Sequence, residues 1–186
     1  MLQTNKENYL IFTDLDGTLL DHNTYSTEAA KEMLDYIKSN NIPLIIVTSK
    51  TKEEILKLRK QLDINYPFIV ENGAGIFLPE DKEFKQINMG KTHSEVLCFL
   101  NQYRETFNIK SFFDMSVNEL SRITGLDIKN STLAKERDFC EPFILEDESK
   151  IEDLRQLSLK EGFDIVKGGR FYHLITKGQD KAHAVL

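Results

Sequence analysis

FTDLDGTLLD, residues 12–21, follows the apolar residues Tyr9, Leu10 and Ile11 and governs the reading of the whole chain. A short aromatic and β-branched run ending in charge reads as a buried strand, YLIFT at 9–13, that stops at Asp14. Two residues on comes a second carboxylate, Asp16, followed by Gly17 and Thr18. Like charges this close at a strand end are unfavourable unless something stabilises them. A metal ion, a reaction and an ordinary turn are the three explanations, and Asp and Gly do crowd turns for conformational reasons alone.

The strands that follow place this pair. Ser26 is expected to cap a helix through about Ser39 with Ala29, Ala30, Met33, Leu34 and Ile37 inward. PLIIVTS, 43–49, is a second strand, and its unbroken apolar run suits a parallel strand covered on both faces. Thr51 and Glu54 form a capping box for a helix carrying Ile55, Leu56, Leu58 and Leu62, and PFIVE, 67–71, is a third strand. This alternation predicts an α/β fold with a parallel, Rossmann-like core sheet. After Asn72-Gly73-Ala74-Gly75 the pattern changes to a hairpin and then helices near 93–107, 117–125 and 150–161. Thr92/Glu95, Ser116/Glu119 and Ser149/Glu152 are read as their capping boxes. Strands follow at 142–146, 163–167 and 170–176, the last two joined by a Gly168-Gly169 turn. The expected division is a core of 1–79 and 173–186 with a large α+β cap, 80–172, inserted between.

Composition narrows the partners. The 186 residues carry a net charge of −6, which argues against a general nucleic-acid binder. No apolar run approaches a membrane span and MLQTNKEN lacks signal-peptide character, so a cytoplasmic protein is expected. Cys98 and Cys140 are too few for a disulfide scaffold. His22, His93, His173 and His183 share no zinc-ligand spacing, and only His173 neighbours residues of interest.

In open α/β sheets ligands gather at the carboxyl ends of the strands. Asp14, then Thr48 and Ser49, then Glu71 and Asn72 end the first three strands and share one crevice in this reading. There Asp14 can attack phosphorus and Asp16 can exchange protons with leaving group and water. A cation between carboxylates and phosphate is required, and hard oxygen donors favour Mg²⁺.

FTDLDGTLLD resembles the first motif of the haloacid dehalogenase superfamily, IIVTSKT its second, and VENGAGIF the strand-three signature of its Cof-like branch. Within that branch TSKT, ERDFCEPF and GGRFYHL are similar to the mannosyl-3-phosphoglycerate phosphatases. The resemblance implies a Mg²⁺-dependent phosphatase acting on a small sugar phosphate, with Asp14 as nucleophile and Asp16 as general acid/base. Asp14 and Asp16 would also hold the metal, and Thr48 the phosphoryl oxygens. The family's lysine is matched by Lys181, although Ala182 stands where Gly is expected and Lys177 is an alternative. Ser49, Lys50, Asn72, Arg137, Glu141, Gly168, Gly169 and Arg170 are the implied substrate residues. The family's last acidic motif would lie beyond Leu186, so its ligands are expected from a second subunit or a further C-terminal segment. Two other functions fit these residues: a sucrose-phosphate type phosphatase, and an inactive remnant that binds a ligand or partner.

Overall fold

The computed structural model describes residues 9–21, 24–81 and 83–186; His22, expected to lack metal spacing, lies outside them. Three apolar runs become β1 (Ile11–Thr13), β2 (Leu44–Val47) and β3 (Phe68–Val70), which pair in parallel. The helices α1 (Lys31–Ser39) and α2 (Lys52–Leu62) make the crossovers. β4 (Gly75–Glu80) and β5 (Glu83–Asn88) extend the sheet as an antiparallel hairpin, giving the order β1-β2-β3-β4-β5. Leu15, Ile46, Ile55, Phe68, Val70 and Phe77 fill its core. The fold is α/β, as the sequence predicts.

The capping box at Thr51 forms in full, and α2 ends at Asp63 in the left-handed region. α1 departs from expectation: Ser26 Oγ accepts from Glu28 N, and a 3₁₀ turn over Glu28–Ala30 precedes the helix. That turn shifts the helical phase, so Leu34 and Ile37 face the core while Ala29 and Met33 face solvent.

The inserted region forms a second sheet. α3 (His93–Phe107), β6 (Ile109–Ser111), α4 (Val117–Thr124), α5 (Ile128–Lys135), β7 (Glu141–Leu145), α6 (Ile151–Lys160), β8 (Phe163–Gly168) and β9 (Phe171–Thr176) follow one another. The strands are antiparallel in the order β6-β7-β9-β8. One face packs Phe143, Ile165, Tyr172 and Leu174 against α3 and α6 through Phe99, Leu100 and Leu154. The other carries Phe112, Ile144 and Phe171 toward α4 and α5.

Several expected details change. The boundaries at 80 and 172 fall within strands, because β5 belongs to the first sheet and β9 to the second. By sheet membership the inserted unit runs from about 90 to 176. β6 and α5 are additions; Asp127 caps α5 by accepting from Asn130 N. Ser149 does not cap α6; it hydrogen-bonds to Asp147 within a preceding 3₁₀ turn. Ser116 caps α4, but Glu119 pairs with Lys110 instead of closing the box. The β8–β9 turn is Gly169-Arg170, since Gly168 pairs with Phe171.

One tie joins the two chain crossings between the sheets, and a local bond steadies the second of them. Thr176 Oγ1 accepts from Lys91 N at 2.7 Å, and Gln179 Oε1 accepts from Thr176 N at 3.1 Å. Residues 181–185 form a hydrogen-bonded turn, with Asp180 Oδ1 accepting from His183 N.

Candidate active site

The loop after β1 is held from below. Leu15, Leu19 and Leu20 are buried, and Gly17 takes φ +73°, which lets Gly17 N reach Leu20 O at 2.9 Å. With its apolar residues anchored inward, the loop leaves Asp14 and Asp16 on the open side. Leu15 N donates to Asp14 Oδ1 at 2.8 Å and fixes that carboxylate.

Each carboxylate has its own lysine. Lys181 Nζ lies 3.0 Å from Asp14 Oδ1. Lys50 Nζ lies 3.1 Å from Asp16 Oδ1, 3.5 Å from Glu54 Oε1, and 5.2 Å from the centre of the Tyr25 ring. Burial alone would lower the Lys50 pKa, but Glu54 and Asp16 outweigh it and hold the ammonium above its ordinary value.

Lys181 reaches Asp14 because the backbone permits a close approach. Gly73 has φ +92°, and a Cβ there would fall 2.3 Å from Asp180 O. Gln179 Nε2 also donates to Glu71 O at 2.8 Å, which fastens the tail to the tip of β3. Sequence reasoning passed over both residues. The Asn-Gly pair signalled a turn, but nothing local marks what approaches it. Lys177 remains exposed, away from the carboxylates.

Above these groups opens a cavity of about 470 Å³ between the strand tips and the second sheet. Asp14, Asp16, Ser49, Lys50, Asn72 and Lys181 line its floor. Gly168, Gly169, Arg170, Phe171 and His173 of the β8–β9 hairpin line its roof. A cavity of similar volume lies at the amino ends of the strands, near Leu44 and Tyr66, where α/β sheets do not usually place ligands.

The remaining expected site residues divide. Thr48 is fully buried beneath the floor, where its Oγ1 accepts from Lys50 N at 3.2 Å, so Ser49 is the strand-two residue on the wall. Arg137 touches the cavity, but its guanidinium is committed to the carbonyls of Ser49, Ala134 and Cys140. Glu141 is not brought to the cavity: its carboxylate binds His93 Nε2 at 2.7 Å and Phe113 N at 2.6 Å. Asn72, with φ +59°, presents a buried Nδ2 with no partner. Arg170 is exposed at the rim and donates to Thr124 O at 3.0 Å.

A buried lock sits behind the floor. Glu71, fully buried, accepts from Asp138 N, Phe139 N and Cys140 N at 2.8, 3.1 and 2.9 Å. Arg137 Nε lies 3.6 Å from the same carboxylate. Burial pushes the adjacent Cys140 thiol up to about 12, so it is inert.

Asp14 and Asp16 supply the hard oxygen donors that suit Mg²⁺, although among the described residues no third acidic, His or Cys side chain completes a metal-holding cluster. Mg²⁺ is commonly held by one or two carboxylates together with phosphate oxygens and water, and this pair fits that pattern. No helix among the described residues is long and apolar enough to cross a membrane.

Residues 11–186 match the haloacid dehalogenase-like hydrolase family. A glucosyl-3-phosphoglycerate/mannosyl-3-phosphoglycerate phosphatase of Persephonella marina is 50% identical over 187 residues, covering 95% of this chain and 70% of that protein. A phosphatase of the same name from Methanococcoides burtonii is 39% identical, with the same coverage. Among solved structures, a Thermoplasma acidophilum protein superposes with TM-score 0.72 at 22% identity, over 95% of this chain and 68% of that one. A haloacid dehalogenase-like hydrolase from Bacteroides thetaiotaomicron gives TM-score 0.68 at 18% identity, over 96% and 75%.

Proposed function

This chain belongs to the haloacid dehalogenase-like hydrolases, and from that membership we propose that it hydrolyses glucosyl- or mannosyl-3-phosphoglycerate through an aspartyl-phosphate on Asp14. The observation that carries the reading is the pairing of Asp14 with Lys181 and Asp16 with Lys50 beneath the Gly168–Arg170 rim. The two named relatives support the choice of substrate.

In this mechanism Leu15 N holds Oδ1 of Asp14 and leaves Oδ2 for attack on phosphorus. The bond from phosphorus to the leaving oxygen breaks as Asp16 protonates that oxygen. Water then attacks phosphorus, Asp16 takes its proton, and the Asp14–phosphorus bond breaks to release phosphate. Lys181 neutralises charge on the transferring phosphoryl group. Lys50 has two carboxylate partners, so it can release Asp16 for proton transfer and stay paired with Glu54. Mg²⁺, held by the Asp14 side chain and the Asp16 backbone carbonyl, would supply further neutralisation of phosphoryl charge. At the rim, Arg170 and the Gly168–Gly169 amides suit the glycerate carboxylate.

The test is phosphate release from both sugar phosphoglycerates, from 3-phosphoglycerate and from sucrose 6-phosphate, with Mg²⁺ and with EDTA. Turnover that favours the sugar phosphoglycerates and stops in EDTA is expected. Equal turnover of 3-phosphoglycerate would remove the sugar from the assignment. Release no faster than from an Asp14→Asn variant would reject phosphatase activity altogether.

A further inference from the structure

His173 is a polar side chain that the proposed chemistry does not use. It is 8% exposed, and its Nδ1 is buried without a hydrogen-bond partner. Leaving a buried polar group unsatisfied is costly, and an apolar residue at this position would avoid that cost. Strand alternation explains where the ring points. Tyr172 and Leu174 enter the core under α3 and α6, so His173 faces the opposite side of β9, as does Phe171. That side is the cavity roof, and the ring is part of its lining.

The neighbouring residues make room for this ring. His173 is paired across the sheet with Pro142 on one side and Val166 on the other, and both also line the cavity. A Cβ at Gly168 would lie 3.0 Å from His173 Nε2, so any side chain there would press on the ring. The hairpin therefore keeps a glycine where the imidazole edge meets the cavity.

We propose that His173 is a specificity-determining residue of this site, donating Nε2–H to a hydroxyl oxygen of the sugar in the leaving group. The proton is assigned to Nε2 because a protonated Nδ1 would bury an N–H with no acceptor. The ring is also uncharged at neutral pH: burial, with the positive charges of Arg137 and Lys181, lowers its pKa to about 3. An uncharged donor suits a hydroxyl, whereas the anionic groups of the substrate have Lys181 and Arg170. The inference rests on the sugar-phosphate reading above and adds the residue that reads the sugar.

The experiment compares kcat/KM for mannosyl-3-phosphoglycerate and for 4-nitrophenyl phosphate in the unsubstituted chain, His173→Phe and His173→Gln, each checked for folding by circular dichroism. Expected is a fall of about 5- to 15-fold on the sugar phosphate in His173→Phe, carried by KM, with less than a twofold change on 4-nitrophenyl phosphate. His173→Gln, which keeps an N–H near the Nε2 position, should recover most of the loss, and this variant carries the test if the Phe variant does not fold. Equal losses on both substrates, or none, would overturn the inference and leave the phosphatase reading standing. An unsubstituted chain that hydrolyses only 4-nitrophenyl phosphate would overturn the substrate reading and this inference together. That failure is distinguishable because it precedes any substitution.

Discussion

Lys181 Nζ lies 3.0 Å from Asp14 Oδ1, so a residue near one end of the chain neutralises a carboxylate near the other. Asp14→Asn should remove the nucleophile and cut turnover roughly a thousandfold or more. Lys181→Met should lower kcat about 10²- to 10³-fold by removing charge from the transferring group. Phosphate release measures both, and a Lys181→Met enzyme with normal kcat would separate the ion pair from the chemistry.

Lys50 links acid–base behaviour to stability. Its folded pKa stands above the ordinary 10.5, so its charged form favours the folded state. That contribution is complete below about pH 10.5 and fades as pH rises beyond it. Lys50→Met should lower stability at neutral pH by on the order of 1–2 kcal/mol and flatten this part of the alkaline decline. Urea denaturation at several pH values measures both effects.

The exposed rim makes a different demand. Arg170 donates to Thr124 O but is otherwise open to the cavity. Arg170→Ala should raise KM for mannosyl-3-phosphoglycerate about tenfold and for 4-nitrophenyl phosphate much less. Equal effects on both would take Arg170 out of leaving-group recognition.

Glu71 tests the lock behind the floor. Glu71→Gln keeps the shape but replaces one accepting oxygen by an amide and removes the carboxylate charge 3.6 Å from Arg137 Nε. A loss of about 2–4 kcal/mol is expected, or a Tm fall of roughly 5–15 °C. A change within about 1 °C would show that the charge contributes little.

The sequence made the parallel strands and several helix starts legible because both are local. The apolar runs of β1 to β3 and the boxes at Thr51/Glu54 and Thr92/Glu95 need only near neighbours. α5 escaped because Ile128–Lys135 has few apolar residues, and Ile128 itself is exposed. Asp14, Asp16 and Lys50 could be grouped because a shared sheet edge follows from the βαβ pattern. Arg137 and Glu141 count as substrate residues in the sequence because they stand in ERDFCEPF, a string similar to the family's. Their partners are distant in sequence: Ser49 O lies 88 residues from Arg137, and Phe113 N lies 28 from Glu141. Pairings of that range leave no periodic trace, and the same holds for Gly73 beneath Asp180.

Glu71 also bears on how the chain assembles. The backbone groups that satisfy its carboxylate come 67 to 69 residues later. Until that loop is formed, closing the first sheet would seal a charge away from water without compensation. Neither sheet can then reach its final stability ahead of the other, and the barrier to folding includes bringing these remote segments together. The inserted unit and the sheet that carries it are thereby bound into one cooperative transition, although each has a hydrophobic core of its own.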